Sequence, residues 1–244
     1  MLKFPAGENM RLKMGPGTRL PAEYVIPNLP HVWYDQETIN SCVGQALSFC
    51  VSYYFYKATG KVEMFSPMFL YWHARYLRGL TAKDEGAYLI DGITALIRWG
   101  CCREAVWTHT RAHLTVQPSP EAYEDTMSFA LTAKYAIIKT VEEMKQALVH
   151  QVPVVFGFPV PESFKRSLRG EVFLYPPRPN DRILGGHAVV AIGYSDSKTA
   201  FLCRNSWGRE WGDEGNFWIH YDYFEIEFTN PRYGIKVERR KPKC

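Results

Sequence analysis

Residues 185–219 read GGHAVVAIGYSDSKTAFLCRNSWGREWGDEGNFWI. His187 opens an apolar run that lasts to Tyr194, Ser195 to Lys198 is polar, and a second apolar run from Thr199 to Cys203 delivers Asn205. The pattern predicts two strands joined by a short turn, and such strands pair antiparallel. The end of the second then returns to the start of the first, which sets Asn205 near His187. Ser206-Trp207-Gly208, Trp211-Gly212 and Gly215 follow. A bulky indole beside a His–Asn pair, with glycines that let the backbone fold tightly, predicts a hydrogen bond shielded from water.

A histidine held by an amide needs a nucleophile. The best candidate lies far upstream, in Gln36-Glu37-Thr38-Ile39-Asn40-Ser41-Cys42. The separation is no objection, because such partners meet in space and not along the chain. From Cys42 onward, Val43, Ala46, Leu47, Cys50, Val51, Tyr54 and Phe55 recur at three- and four-residue intervals, which predicts a helix ending near Gly60. Asn40 or Ser41 is its N-cap. Cys42 then lies in the first turn, where free N–H groups and the helix dipole favour a thiolate. Cys50, two turns on, reads as a buried core thiol.

The chain has 244 residues, 46% of them hydrophobic and 15% aromatic, enough to bury a substantial core in one large domain or two intimate subdomains. A net charge of +4 argues against nucleic acid as the main partner, and the basic tail Arg239-Arg240-Lys241-Pro242-Lys243 reads as a solvated terminus. There is no apolar run of about 20 residues and no apolar core in the first residues, so neither a membrane span nor a secretory signal is expected. Six cysteines occur, but their spacing suits neither a disulfide framework nor a metal site: Cys101 and Cys102 are adjacent, and Cys203 lies in an apolar strand. Reduced thiols, a cytoplasmic location and no metal or cofactor are the expectation.

In chain order, residues 1–20 are loop-like and basic and read as an arm rather than a domain. Ser66-Pro67 predicts an N-cap followed by proline at the first helical position, opening a helix to about Leu77. Asp84-Glu85-Gly86-Ala87 is a loop. Helices follow from Leu89 to Trp99, capped by Gly100, and near Glu121–Ala130. Residues 116–126 mark the boundary between a helical half and a strand-rich half. Thr140-Val141-Glu142-Glu143 is a capping box for a helix through Leu148, and strands are expected at Val152–Phe158 and Asn216–Tyr221.

At this point the residues resemble the papain-like cysteine peptidases. Gln36 lies six residues before Cys42, as that family's oxyanion-hole glutamine precedes its nucleophile. Gly186-His187-Ala188-Val189 is similar to its histidine motif, and Asn205-Ser206-Trp207-Gly208-Arg209-Glu210-Trp211-Gly212 matches its NSWG-x-x-WG motif. Fainter similarity runs from Pro21 to about Tyr223. The resemblance implies an α+β fold: a helical left subdomain (about 33–117), an antiparallel, barrel-like right subdomain (about 127–223) and a cleft between them, within one peptidase domain spanning 21–244. The sequence departs from the family around its nucleophile. Glu37 and Asn40 stand where glycines are usual, Ile39 where a disulfide cysteine is usual and Val43 where tryptophan is usual. Only 41 residues precede Cys42, fewer than a family proenzyme carries. The arm is a short plug for the cleft or a disordered segment, and its Lys and Arg residues make self-trimming conceivable.

The resemblance further implies a cysteine endopeptidase acting on a peptide or protein through a Cys42–His187–Asn205 triad, with Gln36 and the Cys42 N–H as the oxyanion hole. By similarity, Gly86 and Ala87 offer backbone to an extended substrate. Tyr88, Leu89, Gly157, Gly185 and Ala188 line a pocket for an apolar or aromatic P2 side chain, and Trp207 lines the primed side. Two other readings stand beside it: a papain-fold module that binds peptides without cutting them, and a cysteine-dependent acyltransferase.

Overall fold

His187 lies on the longest strand of a computed structural model that describes residues 19–165 and 169–239. The proposed arm falls, except for residues 19 and 20, outside the described residues, as does the tail beyond Arg239. The fold is α+β. Its strands are β1 (Glu23–Val25), β2 (Leu131–Ile138), β3 (Val154–Pro161), β4 (Phe173–Leu174), β5 (Ile183–Ser195), β6 (Ala200–Arg204), β7 (Asn216–His220) and β8 (Arg232–Arg239). They form one sheet in the order β2-β8-β3-β5-β6-β7-β4, with β1 added to β5. All pairs are antiparallel except β4 with β7.

The β5–β6 hairpin forms as its pattern predicts, with Ser195 opposite Ala200 and Ala191 opposite Cys203. Both faces of β5 are covered. Val190 and Ile192 enter the core that surrounds the helices, whereas Val189 and Ala191 enter a second core with Phe156, Phe201 and Phe217. Alternate residues of a strand point to opposite faces, so an unbroken apolar run here marks a strand buried on both sides.

The helices begin and end where their caps predict. The first, α1 (Cys42–Thr59), stops at Gly60, whose φ of 70° is the left-handed conformation that closes a helix, and whose N–H donates to Tyr56 O. Helix α2 (Pro67–Tyr76) starts at Ser66, whose hydroxyl accepts the Phe69 N–H at 3.1 Å. Helix α3 (Leu89–Trp99) ends at Gly100, and α4 (Pro120–Phe129) follows Ser119. At α5 (Val141–Val149), Thr140 caps Glu143 N–H as expected, but the Glu143 carboxylate reaches back to Lys139 N–H, one residue earlier than a capping box predicts. Strand β8 lies beyond the limit of the sequence resemblance at Tyr223. It pairs with β2 along eight residues and with β3.

Helix α1 packs against β5, and its first residue, Cys42, meets the backbone N–H of Ala188, the residue after His187. Gly44 lets α2 come close: a Cβ there would stand 2.3 Å from Pro67 O. Cys50, Cys101, Cys102 and Cys203 are buried, and all five described cysteines are unpaired.

Candidate active site

Asn205 leaves β6 with its N–H bonded to Gly215 O, in a turn closed by Gly212. Gly212 has φ 62°, and a Cβ there would stand 2.4 Å from Asn216 O, so no other residue fits without backbone movement. This tight turn brings the Asn205 side chain to His187: Asn205 Oδ1 lies 2.7 Å from His187 Nε2. Oδ1 also accepts the Ser206 N–H at 2.8 Å, which fixes the amide orientation, because the flipped amide would set N–H against N–H. His187 Nε2 is therefore the protonated nitrogen and the donor. In the neutral ring, Nδ1 then carries the lone pair that can take a proton. Both side chains are buried. The Trp207 indole stacks on the imidazole with centroids 4.9 Å apart and planes at 25°, and Phe158 meets it edge-on. Trp211 and Phe164 back the indole in turn.

Cys42 is the first residue of α1 and is half-buried. Burial pushes its thiol above the ordinary value. Backbone N–H groups of Ala188, Val43 and Cys42 itself oppose that shift by favouring the anion. The expected thiolate thus has its helix-terminal donors but stands in a site where a lone charge is costly, so it needs a cation beside it.

Gln36 is buried, with its Oε1 accepting the Ser206 hydroxyl at 2.8 Å and its Nε2 donating to Ile39 O at 3.1 Å. The other Nε2 hydrogen has no acceptor among the described residues. The glycine-poor loop after it still turns as a glycine would, because Glu37 adopts φ 50° and its N–H is held by the Asp35 carboxylate at 2.8 Å. Ser41 occupies the N-cap position but makes no cap bond. Gln45 Nε2 donates to its hydroxyl, which turns to His109 Nε2 at 2.8 Å. His109 thus belongs to the surroundings of the site, although nothing in the sequence points to it from 68 residues away.

A single cleft of about 1120 Å³ is lined by Gln36, Cys42, His187 and Trp207 together with Gly86, Ala87, Tyr88, Leu89, Gly157, Gly185 and Ala188. Every sequence-predicted site residue reaches it except Asn205, which stands behind His187. The two residues expected to offer backbone differ in what they have free. Gly86 N–H donates to the Tyr71 hydroxyl at 3.0 Å, whereas the Ala87 N–H and C=O make no hydrogen bond among the described residues. No cluster of three or more metal-ligating side chains occurs among the described residues.

The fold is papain-like, with a helix-borne thiol and a strand-borne imidazole on the walls of one cleft and the imidazole oriented by an amide. The sequence profile described as papain family cysteine protease matches residues 85–233, beginning beyond Gln36 and Cys42. The peptidase C1-like protein L477 of Acanthamoeba polyphaga mimivirus is 32% identical over 219 residues, which are 85% of this chain and 70% of that protein. Pro-cathepsin H of Medicago truncatula is 36% identical over 96 residues, 38% of this chain and only 25% of that protein. Among solved structures, xylellain, a cysteine protease from Xylella fastidiosa, superposes with a TM-score of 0.83 at 30% identity, over 91% of this chain and 88% of that one. The chain belongs to the papain family of cysteine proteases.

Proposed function

We propose that this protein is a cysteine endopeptidase that cleaves peptide bonds through Cys42, His187 and Asn205. The observation that carries the reading is the His187 Nε2–Asn205 Oδ1 bond, which orients the imidazole and makes Nδ1 the basic nitrogen that takes the Cys42 proton. Cys42 Sγ bonds to the substrate carbonyl carbon as its proton passes to His187. The oxyanion is met by the free Gln36 Nε2 hydrogen and by the Cys42 N–H, which has no partner within the helix. Collapse breaks the C–N bond, and the imidazolium protonates the leaving amine. Water, deprotonated by His187, then hydrolyses the thioester. Tyr88, Leu89, Gly157, Gly185 and Ala188 form the pocket for an apolar or aromatic P2 side chain. Residues 1–20 act as a short inhibitory or self-trimmed segment. Five unpaired thiols suit a reducing compartment such as the cytoplasm. Among the described residues no helix is long and apolar enough to cross a membrane.

The test is iodoacetamide labelling at about pH 5, mapped by peptide mass, on the full chain and on one starting near Leu20, followed by a fluorogenic peptide screen. At that pH an ordinary thiol is almost wholly protonated, whereas an ion-paired thiolate reacts. Selective labelling of Cys42, abolished in His187→Ala, is the expected result. Labelling only in the shortened chain assigns the arm as a plug. A Cys42 that reacts no faster than Cys244 in both chains overturns the peptidase reading and leaves a peptide-binding module of the same fold.

A further inference from the structure

The two loops on the helical side of the cleft are tied together through one carboxylate. Asp84 Oδ1 accepts the backbone N–H of Asn40 at 3.0 Å, two residues before Cys42. The Asn40 side chain returns the contact, with Nδ2 donating to Asp84 O at 2.7 Å. The same Oδ1 accepts the Tyr71 hydroxyl hydrogen at 2.7 Å, and the hydroxyl oxygen in turn accepts the Gly86 N–H at 3.0 Å. A chain of four residues therefore runs from the nucleophile loop to the cleft-edge segment.

Its foundation is rigid. Tyr71 is wholly buried on α2, and the Arg75 guanidinium lies 4.1 Å over its ring. That guanidinium donates to Thr81 O at 3.0 Å and Lys83 O at 2.8 Å, pinning the backbone that leads into Asp84, and to Leu114 O at 2.5 Å. Gly86 comes close enough to the nucleophile loop that a Cβ on it would stand 4.0 Å from Asn40 O.

We infer that Asp84 is a positioning residue for substrate binding: through Asn40 on one side and Tyr71 and Gly86 on the other, it sets the distance between the Cys42 loop and the free backbone groups of Ala87. This rests on the peptidase reading. With Gly86 N–H taken by Tyr71, an extended peptide meets the N–H and C=O of Ala87, whose place is fixed only through its neighbours. Asp84 touches neither the thiol nor the imidazole. Its loss therefore weakens docking of the peptide more than it slows the bond-breaking step, which appears in KM rather than kcat.

Three variants in the full chain separate this from a general structural role. Asp84→Ala removes the one oxygen that accepts from both the Asn40 N–H and the Tyr71 hydroxyl, and we expect KM to rise roughly tenfold with kcat changed less than about threefold. Asp84→Asn keeps a carbonyl oxygen at the Oδ1 position and restores KM to within about twofold of the parent. Tyr71→Phe cuts the link to Gly86 alone and raises KM while leaving the Asn40 contact whole. Amide hydrogen exchange gives a second readout that needs no activity. Asp84→Ala speeds exchange at both Asn40 and Gly86, and Tyr71→Phe at Gly86 only. If Asp84→Ala fails to fold, Asp84→Asn and Tyr71→Phe still make the distinction. The proposal is overturned if Asp84→Ala releases Asn40 without releasing Gly86, if Tyr71→Phe leaves Gly86 exchange unchanged, or if Asp84→Asn behaves as Asp84→Ala. Should the parent protein cut no peptide, the peptidase reading fails on its own, and the exchange pattern still decides whether the clamp exists.

Discussion

Gln36 and Ser206, 170 residues apart, are joined twice: the Gln36 N–H donates to Ser206 O at 2.9 Å, and the Ser206 hydroxyl donates to Gln36 Oε1 at 2.8 Å. The residue that follows Asn205 thus orients the Gln36 amide, the proposed oxyanion donor. Removing an oxyanion donor outright typically costs about 10²–10³ in rate, and Gln36→Ala should fall in that range. Ser206→Ala leaves the donor but strips the buried Oε1 of its partner, so the amide is held only by its bond to Ile39 O. We expect kcat to fall about tenfold with KM nearly unchanged, measured on one fluorogenic peptide. An unchanged kcat would show that Ile39 alone aims the amide.

The Cys42 thiol has a direction of shift that can be tested. Burial raises it, and three backbone N–H groups only partly offset the rise. Under the proposed mechanism the imidazolium of His187 supplies the missing cation, and labelling of the parent protein is then expected to begin at acid pH. In His187→Ala burial acts unopposed by any side chain, and the onset of iodoacetamide labelling should move above the ordinary thiol range of about 8.5. Labelling of the variant at pH 5 as fast as the parent would mean that the backbone donors suffice and that His187 has no part in thiolate formation.

The parts of this fold legible in the sequence are those whose signals are local. Ser66-Pro67, Gly60, Gly100 and Thr140 each mark a helix end by a conformation or a hydrogen bond made within a few residues. The β5–β6 hairpin has a polar turn between two apolar runs. The strand β8 escaped because its inward residues, Tyr233, Ile235 and Val237, alternate with Lys236 and Glu238 beside a basic tail, and a charged end reads as solvated. In the fold, Arg232 at its start is buried and donates to the carbonyls of Ile138, Lys139 and Phe224. The proposed triad and Gln36 rest on residue types at the separations that the family resemblance carries, and the structure sets Cys42, His187 and Gln36 on one cleft with Asn205 against His187. The contacts that aim them, Ser206 to Gln36, Ser41 to His109 and Asp84 to Asn40, depend on loop approach in three dimensions, for which no periodicity exists.

The close crossing of α1 and α2 depends on Gly44. A Cβ at that position would stand 2.3 Å from Pro67 O and 3.2 Å from Tyr71 Cβ, and backbone at the N-terminus of α2 cannot yield as a side-chain tip can. Gly44→Ala gains a little helix propensity but forces the two helices apart. Overpacking of this kind costs about 1–3 kcal/mol. The expected result is a lower urea midpoint with an unchanged m-value. A midpoint equal to or above the parent's would show that the helices separate without strain.

Two buried ionisable groups give stability opposite slopes with pH. His73 is buried on α2, with Nδ1 bonded to Phe69 O at 2.8 Å and Nε2 to the Tyr123 hydroxyl at 3.0 Å, so the neutral ring is satisfied and burial pushes its pKa down to about 4. Between pH 6.5 and 4 the unfolded chain binds the proton that the folded one refuses. Stability therefore falls as pH drops through that window, by on the order of 3 kcal/mol. Glu104 behaves in reverse. One carboxylate oxygen accepts the His109 N–H at 2.6 Å, but the other is buried without a partner among the described residues, and burial pushes its pKa up to about 7. The folded chain holds that proton between pH 4.5 and 7, so its contribution is whole below pH 4.5 and is lost as pH rises through 7. Glu104→Gln should raise the melting temperature relative to the parent at pH 8 and leave it nearly level at pH 5. His73→Gln should flatten the acid limb below pH 6.5 while leaving the alkaline side unchanged. If Glu104→Gln instead shifts the melting temperature equally at both pH values, its carboxyl is already ionised at pH 5, and the Glu104 part of this account fails while the His73 part stands.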